Sequence, residues 1–386
     1  MKKKLSIIVP TFREAPNIPE LTKRIDSSIK NKYDYEIIIV DDNSRDGIEK
    51  TVEELQRSYP VKLKIRLTEK GLSSAVISGF EMVTGQIIVV MDADLSHPPE
   101  KITALADRIA YDGYEFVIGS RFVHGGSSDH FDLYRKTNAF VSKIIARPFT
   151  KVKDPMAGFF AFPAALLEKN VQLNPLGFKI GLELLVKLSP QKISEVPIDF
   201  QERLYGESKL TFRQQILYLM HIWRLFRFKY RTLGEFIVFA MIGTSGMIID
   251  LTFIHLSYKL LLWMLNIGYI NAPAYALDML STNSAGVMFR AALVIGFVFA
   301  LTSNFLLNKY FNFRKTVTHI LRQYVRFFLV SIAGFSVKWY ISVYLFETNP
   351  FFHKYYLFAA FIGIMGGLAI NFAGSKLVVF RYRVTE

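Results

Sequence analysis

The sequence predicts an α/β domain followed by a helical membrane domain, and three observations carry this prediction. Short apolar runs alternate with amphipathic stretches up to about residue 208, as in a doubly wound sheet. From about residue 233 onward, long apolar stretches dominate. The apolar run 87–91 ends in two carboxylates, Asp92 and Asp94, at the kind of strand end where open α/β sheets bind ligands.

Composition limits the classes of protein that this chain can belong to. Its 386 residues are too many for one ordinary domain, and its net charge is +14. The basic residues gather beside the apolar stretches and form no stripe in the first half, which favours anionic lipid over nucleic acid as partner. Cysteine is absent, so there is no disulfide framework and the redox compartment stays open.

The first half predicts strands and helices in alternation. The predicted strands are 5–9, 36–40, 63–67 and 87–91, and the predicted helices are 18–29, 48–55 and 73–83. The basic start resembles a signal peptide, but Pro10 ends its apolar run too early, so a first strand is the better interpretation. Polar residues follow three strands, at 10–14, 41–44 and 92–94, and their convergence on one sheet edge predicts a cleft lined with carboxylates.

The residues of this cleft indicate a nucleotide-sugar site. No GxGxxG follows the first strand and no GxxxxGK[ST] occurs, which argues against dinucleotide binding and P-loop hydrolysis. Glu14 and Asp42 are suited to accept hydrogen bonds from base and ribose, and Asp92 and Asp94 to hold a metal against a diphosphate. The alternative is a solvated turn at the strand end.

Seven sequence blocks occur in a characteristic order. They are VPTFRE (9–14), VDDNSRDG (40–47), GLSSAVISGF (71–80), VMDADLSHPPE (90–100), GSRF (119–122), DPMAGFFAF (154–162) and ERLYGESKL (202–210). With these blocks the first half resembles the GT-A fold glycosyltransferases of family 2, and within them the polyprenol-phosphate sugar synthases. The resemblance implies a Rossmann-like α/β GT-A catalytic domain.

The resemblance also implies roles for individual residues. Nucleotide-sugar binding falls to Pro10, Phe12, Glu14, Val40, Asp42, Asp92, Ala93, Asp94, Arg203 and Lys209. Asp92, Asp94 and Ser96 would ligate Mg²⁺ or Mn²⁺, with Ser96 at a position where many members carry Gln. Arg121, Arg135 and Ser208 would bind the acceptor phosphate, and Asp94, Arg121, Arg135, Arg203 and Lys209 are the expected catalytic residues. Two roles stay open for Asp154, contact with sugar or acceptor and capping of a helix.

Segment 211–232 predicts an amphipathic helix in the membrane interface. Apolar residues recur at helical spacing among cations, and Trp223 lies among clustered arginines. The alternative is an ordinary packed helix. The predicted domains are therefore the catalytic domain 1–210, the interfacial segment 211–232 and the membrane domain 233–386.

Four apolar stretches predict four transmembrane helices. They are 236–262, 287–307, 325–346 and 355–376, each close to the length that crosses a bilayer. The connection 309–326 and the tail 376–383 are rich in basic residues, whereas 266–285 and 348–354 are nearly free of them. The positive-inside rule then predicts an integral membrane protein with both termini and the catalytic domain in the cytoplasm.

The membrane half repeats internally. Residues 304–314 match 371–381 at equal spacing, and 239–250 align with 327–338, which predicts two hairpins in the same orientation. This half resembles the GtrA-like membrane domains. Asp250 and Lys338 occupy equivalent mid-span positions, and we expect them to pair or to face a polar cavity, with a lipid-phosphate or transport role as the alternative.

The function implied by the resemblance is inverting transfer of mannose from GDP-mannose to dolichyl (polyprenyl) phosphate in the presence of membrane lipids. Two alternatives stay open. One is a UDP-glucose-dependent polyprenyl-phosphate glucosyltransferase, and the other is a flippase for lipid-linked sugars. A processive polysaccharide synthase is disfavoured because the sequence has no QxxRW-like stretch.

Overall fold

The structure is a computed structural model that describes residues 2–127, 133–169, 172–174, 177, 179–201, 212–270, 284–313, 319–354 and 356–380. The chain divides into two compact units, Met1–Lys229 and Tyr230–Glu386. The predicted interfacial segment is thus split, because its helix belongs to the first unit.

The first unit alternates strands and helices as the sequence predicts. Its strands are β1 (Lys4–Thr11), β2 (Asp34–Asp41), β3 (Val61–Ile65), β4 (Ile87–Val90), β5 (Phe116–Ser120), β6 (Phe160–Pro163) and β7 (Ile193–Pro197). Its helices are α1 (Ile18–Ile29), α2 (Ile48–Leu55), α3 (Leu72–Phe80), α4 (Ile102–Ala110), α5 (Leu133–Ala146), α6 (Ile180–Lys187) and α7 (Phe212–Lys229). The bounds of α1 and α2 are those predicted.

The seven strands form one sheet in the order β3-β2-β1-β4-β6-β5-β7. Strands β1 to β4 pair in parallel, and β5 pairs in parallel with β7. Strand β6 runs antiparallel to both β4 and β5. The four predicted strands thus form a parallel part of the sheet, and the complete sheet is mixed because β6 runs antiparallel. The parallel pairing brings the ends of β1, β2 and β4 to one edge.

Several predicted boundaries differ from the observed ones by one to three residues, among them those of β3 and α3. Strand β3 ends at Ile65, two residues before the prediction, so that Arg66 is buried beyond the strand and Leu67 is 74% exposed. Helix α3 ends at Phe80, and Gly79 in its last turn lies against β1, where a Cβ would come within 2.7 Å of the Ile8 side chain. This close approach fixes α3 and the loop before it beside the sheet.

Helix α7 packs with one face on the rest of the first unit. Leu225 and His221 are buried, and the Tyr218 hydroxyl donates to the carbonyl of Ser142 in α5 at 2.9 Å. Leu219 and Met220 on another face are about half exposed. The helix therefore combines the packed-helix alternative with an exposed apolar face suited to a membrane interface.

The second unit is helical. Its helices are α8 (Arg231–Ile270), α9 (Ser284–Leu307), α10 (Ile320–Thr348), the short α11 (Pro350–Lys354) and α12 (Tyr356–Gly374). Within the described residues, two segments are long and apolar enough to cross a membrane, Arg231–Leu261 and Ile320–Val337, and Met365–Val379 is a shorter apolar helix. The number of four spans stays a prediction.

Candidate functional site

The loops after β1 and β2 are fastened to each other at the sheet edge. Asp41 accepts hydrogen bonds from the backbone N–H of Ser44 at 2.7 Å and from its hydroxyl, and the Ser44 hydroxyl oxygen accepts from the N–H of Arg13 at 2.8 Å. Arg13 and Asn43 both adopt left-handed backbone conformations, with φ of 63° and 54°. Non-glycine residues hold such conformations only where surrounding contacts impose them, so this edge is tightly specified.

Asp42 is the centre of a buried polar network. Both Nε and Nη2 of Arg66 donate to its Oδ1, the former at 2.8 Å, and the backbone N–H of Gly71 donates to its Oδ2 at 2.6 Å. Arg66 also donates to the Ser74 hydroxyl at 2.9 Å. The predicted nucleotide ligand Asp42 therefore ties the end of β2 to the loop before α3. Sequence reasoning missed Arg66 because it placed this residue inside a strand.

Asp92 lies at the end of β4 with its carboxylate partly exposed. Its backbone N–H donates to Nδ1 of His97 at 3.1 Å, and the His97 ring stacks on Phe159 at a centroid distance of 5.4 Å. Gly158 faces this carboxylate, since a Cβ there would lie 3.2 Å from Oδ2 of Asp92. A side chain at this position would therefore crowd the Asp92 carboxylate.

Asp94 is buried and held by Ser96. The backbone N–H and the hydroxyl of Ser96 both donate to Oδ1 of Asp94, at 3.1 and 2.5 Å. Ser96 itself is fully buried, and Leu95 between them has φ of 61°. The hydroxyl therefore orients Asp94 in this structure, and ligation of a metal by Ser96 stays a prediction.

A second ion pair lies at the end of β5. Nε and Nη2 of Arg121 donate to the two carboxylate oxygens of Asp154 at 2.8 and 2.9 Å. The Asp154 side chain is fully buried, and the Phe200 ring lies 5.2 Å from the guanidinium carbon. Asp154 therefore neither caps a helix nor projects into solvent in this structure; it positions Arg121.

Lys179, just before α6, is a cation that sequence reasoning missed. Burial and the neighbouring charge of Arg121 lower the pKa of Lys179 to about 8, while the carboxylates of Asp154 and Asp92 act to raise it. These interactions indicate that the Lys179 ammonium lies near Arg121, Asp154 and Asp92. No local motif marks the residue, because its neighbours come from β4, β5 and the loop after α5.

The other predicted site residues take varied positions. Pro10, Val40 and Ala93 are buried backbone positions at the ends of β1, β2 and β4. The Phe12 ring lies 5.3 Å from the guanidinium of Arg13, and Glu14 accepts a hydrogen bond from Asn17 at 2.6 Å. Arg203, Ser208 and Lys209 lie outside the described residues, as does the side chain of Arg135, whose backbone belongs to α5.

The site thus joins a carboxylate side and a cationic side. Asp92 and Asp94 supply negative charge at the end of β4, and Arg121 and Lys179 supply positive charge next to them. Such a pairing is suited to a substrate with anionic phosphates, and Asp92 and Asp94 would hold a divalent metal ion there.

Comparison with known proteins agrees with this arrangement. The profile of Glycosyl transferase family 2 matches residues 6–171, and that of the GtrA/DPMS transmembrane domain matches residues 238–380. A dolichol-phosphate mannosyltransferase of Pyrococcus furiosus is 34% identical over 98% of this chain and 99% of its own length. That of Mycosarcoma maydis is 42% identical over 61% of this chain and 83% of its own length.

Solved structures show a more distant likeness. A glucosyl-3-phosphoglycerate synthase from Mycobacterium tuberculosis is 16% identical, with a TM-score of 0.45 over 58% of this chain and 80% of that chain. The near full-length relative and the two profiles decide the family. The chain belongs to glycosyltransferase family 2, and its helical half is a GtrA/DPMS transmembrane domain.

Proposed function

We propose that this glycosyltransferase moves mannose from GDP-mannose to dolichyl (polyprenyl) phosphate with inversion at the anomeric carbon. The observation that carries the proposal is the 34% identity to the Pyrococcus furiosus dolichol-phosphate mannosyltransferase, which extends over 98% of this chain and so includes both units. The cleft supports it, because carboxylates and cations meet at the edge where β1, β2 and β4 end.

The carboxylates fit a hard divalent cation, Mg²⁺ or Mn²⁺. Asp92 and Asp94 stand two residues apart, and Gly158 packs beside the Asp92 carboxylate, where a Cβ would lie 3.2 Å from Oδ2. Within the described part of the chain, no group of three His, Cys, Asp or Glu residues is arranged to hold a metal. The two aspartates would therefore hold the ion with help from the donor diphosphate, and the bound ion would neutralise charge on that diphosphate.

The acceptor supplies its own nucleophile in this proposal. A phosphate monoester is anionic at neutral pH, so no residue has to remove a proton from it. One of its oxygens forms a bond to the anomeric carbon while the bond from that carbon to the diphosphate breaks, and GDP leaves with the electron pair. Arg121 and Lys179 stabilise the anionic groups, and the ion pair with Asp154 holds Arg121 in place.

Sugar transfer in detergent micelles tests this function. Radiolabelled GDP-mannose and UDP-glucose are offered separately with dolichyl phosphate, with Mn²⁺ or with a chelator. We expect metal-dependent transfer from GDP-mannose alone. Transfer from UDP-glucose alone would reject the donor and retain the mechanism, whereas transfer from neither would reject the proposed reaction.

We also propose that the four predicted spans place both termini and the catalytic domain in the cytoplasm. The basic connections around residues 309–326 and 376–383 support this orientation. Because the chain has no cysteine, single cysteines introduced at Lys50 and Thr348 can be labelled without background. In intact cells an impermeant maleimide should label the Thr348→Cys variant and not Lys50→Cys; the reverse pattern would invert the orientation.

A further inference from the structure

The two hairpins of the membrane unit make equivalent contacts in the structure. A Cβ on Gly246 would overlap the Asn304 amide, and one on Gly334 would overlap the equivalent Asn371 amide. Each hairpin therefore closes on a glycine-asparagine contact, α8 against α9 and α10 against α12. The sequence repeat is thus confirmed as a structural repeat.

Aromatic contacts between the hairpins follow the same symmetry. The rings of Phe236 and Phe372 meet edge to face at 5.3 Å and 82°. Their equivalents, Tyr324 and Phe305, meet at 5.3 Å and 86°. In both pairs the first helix of one hairpin contacts the second helix of the other.

Two lysines occupy equivalent positions in this arrangement, but their partners differ in charge. Lys376 lies 2.8 Å from Oε2 of Glu235 and donates to the Thr232 hydroxyl at 2.8 Å. Its equivalent, Lys309, donates to Oε1 of Gln323, the counterpart of Glu235. One lysine is therefore paired with a carboxylate, which it shares with Arg231 at 3.1 Å, and the other meets a neutral amide.

The neutral contact is also incomplete. Gln323 is 1% exposed, and its Nε2 has no hydrogen-bond partner in the part of the chain that the structure describes. Because an ammonium group only donates, the amide oxygen must face Lys309, which leaves the Nε2 donor without an acceptor. A buried polar group in that state costs about 1–3 kcal/mol unless an acceptor completes it.

Neighbouring residues increase the difference in charge between the Lys309 contact and the Lys376 contact. Arg322 and Arg326 flank Gln323 on α10 and are both exposed. The equivalent positions beside Glu235 are Gly234 and Val238. The Lys309 contact thus adjoins two exposed arginines, whereas at the equivalent contact Lys376 and Arg231 share the carboxylate of Glu235.

We infer that Lys309, with Gln323, Arg322 and Arg326, forms a binding site for the phosphate of a membrane-lipid headgroup. Lys309 is half-buried, so its ammonium remains within reach of a ligand at the surface of the unit. A phosphate supplies Lys309 with the negative charge that Glu235 supplies to Lys376. A lipid is the favoured source of that phosphate, since the site lies on a transmembrane domain.

The test measures lipid binding to the full-length protein and does not depend on the donor sugar. Native mass spectrometry follows the binding of phosphatidylglycerol, of phosphatidylcholine and of inorganic phosphate to detergent-solubilised protein. Gln323→Glu reproduces the Glu235 pair and should close the site, and Lys309→Met removes its central cation. Lys259→Met removes an exposed lysine on α8, a helix that contributes no residue to the proposed site, and is the matched control.

We expect both site variants to weaken the tightest phosphatidylglycerol binding about tenfold, and the control to change it less than twofold. Unchanged binding in both site variants would overturn the inference. Displacement of the lipid by inorganic phosphate at similar concentration would overturn the lipid assignment. If Gln323→Glu does not fold, Lys309→Met alone decides the outcome.

Discussion

Arg121 and Asp154, separated by more than thirty residues in sequence, form a bidentate ion pair at the end of β5. The backbone N–H of Arg121 also donates to Asp154, at 3.1 Å, so the carboxylate fixes both the chain and the side chain of this arginine. The N–H of Asp154 in turn donates to Glu195 in β7 at 3.1 Å. The loop before β6 and the end of β5 therefore hold the arginine as one unit.

Replacing Asp154 by Asn should loosen Arg121. We expect the stability of the protein to fall by up to about 3 kcal/mol, because a buried charge loses its partner. We also expect kcat/KM for the acceptor to fall about tenfold or more. Thermal unfolding and a steady-state assay measure the two effects. The control is Asp112→Asn, whose exposed pair with Arg108 should contribute less than about 1 kcal/mol.

The roles of the two aspartates and of Ser96 can be separated. Asp92→Asn and Asp94→Asn should each lower kcat by about 10²–10³ or more while the protein still folds, because each removes a charge at the reacting centre. Ser96→Ala should lower it only about tenfold, since it removes one hydrogen bond to Asp94. The measurement is initial rate against Mn²⁺ concentration. A loss for Ser96→Ala as large as for Asp94→Asn would assign Ser96 to the metal.

Lys179 should give the enzyme an alkaline limit. Its pKa of about 8 means that the free enzyme loses this cation as pH rises through 8, so kcat/KM should fall above that pH. Lys179→Arg keeps the charge and should move the fall to higher pH. The measurement is a pH profile of kcat/KM in both proteins. Superimposable profiles would show that another group sets the limit.

The same lowered pKa predicts a direction for stability. Between pH 8 and the ordinary lysine value of 10.5, the unfolded chain binds more protons at this residue than the folded protein. The contribution of Lys179 to stability therefore rises with pH across this window. The melting temperature of the wild type should rise relative to that of the Lys179→Met variant as pH increases from 8 to 10.

The glycine-asparagine contacts of the membrane unit predict which helix glycines tolerate a side chain. Gly246→Ala and Gly334→Ala should each lower the melting temperature, because a methyl group would overlap Asn304 or Asn371 and cost about 1–3 kcal/mol. Gly243→Ala on the same helix α8 is the control, since a Cβ there meets nothing within 4 Å. Equal melting temperatures for all three variants would contradict the observed closure of the hairpins.

Much of the architecture was predictable because it depends on local periodicity. The apolar pattern gave the bounds of α1 and α2 as observed, and it located the acidic residues after β2 and β4. Strands β5, β6 and β7 were not predicted, and the direction of β6 could not be read from the sequence, because a short apolar run is the same pattern in parallel and antiparallel pairing. The exposed face of α7 followed from its composition, whereas its contact with α5 did not.

The candidate site was predictable only in part. The aspartates at the strand ends predicted the carboxylate side of the site, because parallel strands end at one edge of the sheet. The partners of the cations were not predictable, because Arg66 meets Asp42, and Arg121 meets Asp154, across long stretches of chain. Lys179 carried no signal of its own, and its lowered pKa arises from burial and from the charge of Arg121, which lies on another element.

The sequence by itself determined the two-part organisation, the acidic strand ends and the repeat of the membrane hairpins. These features follow from residue spacing and composition, which depend only on residues that are near one another in the chain. Only the tertiary structure decided which charges meet and which polar groups lack a partner, because packing of distant segments sets those distances. The difference between Glu235 and Gln323 likewise has a consequence only in the folded protein, where Lys376 contacts Glu235 and Lys309 contacts Gln323.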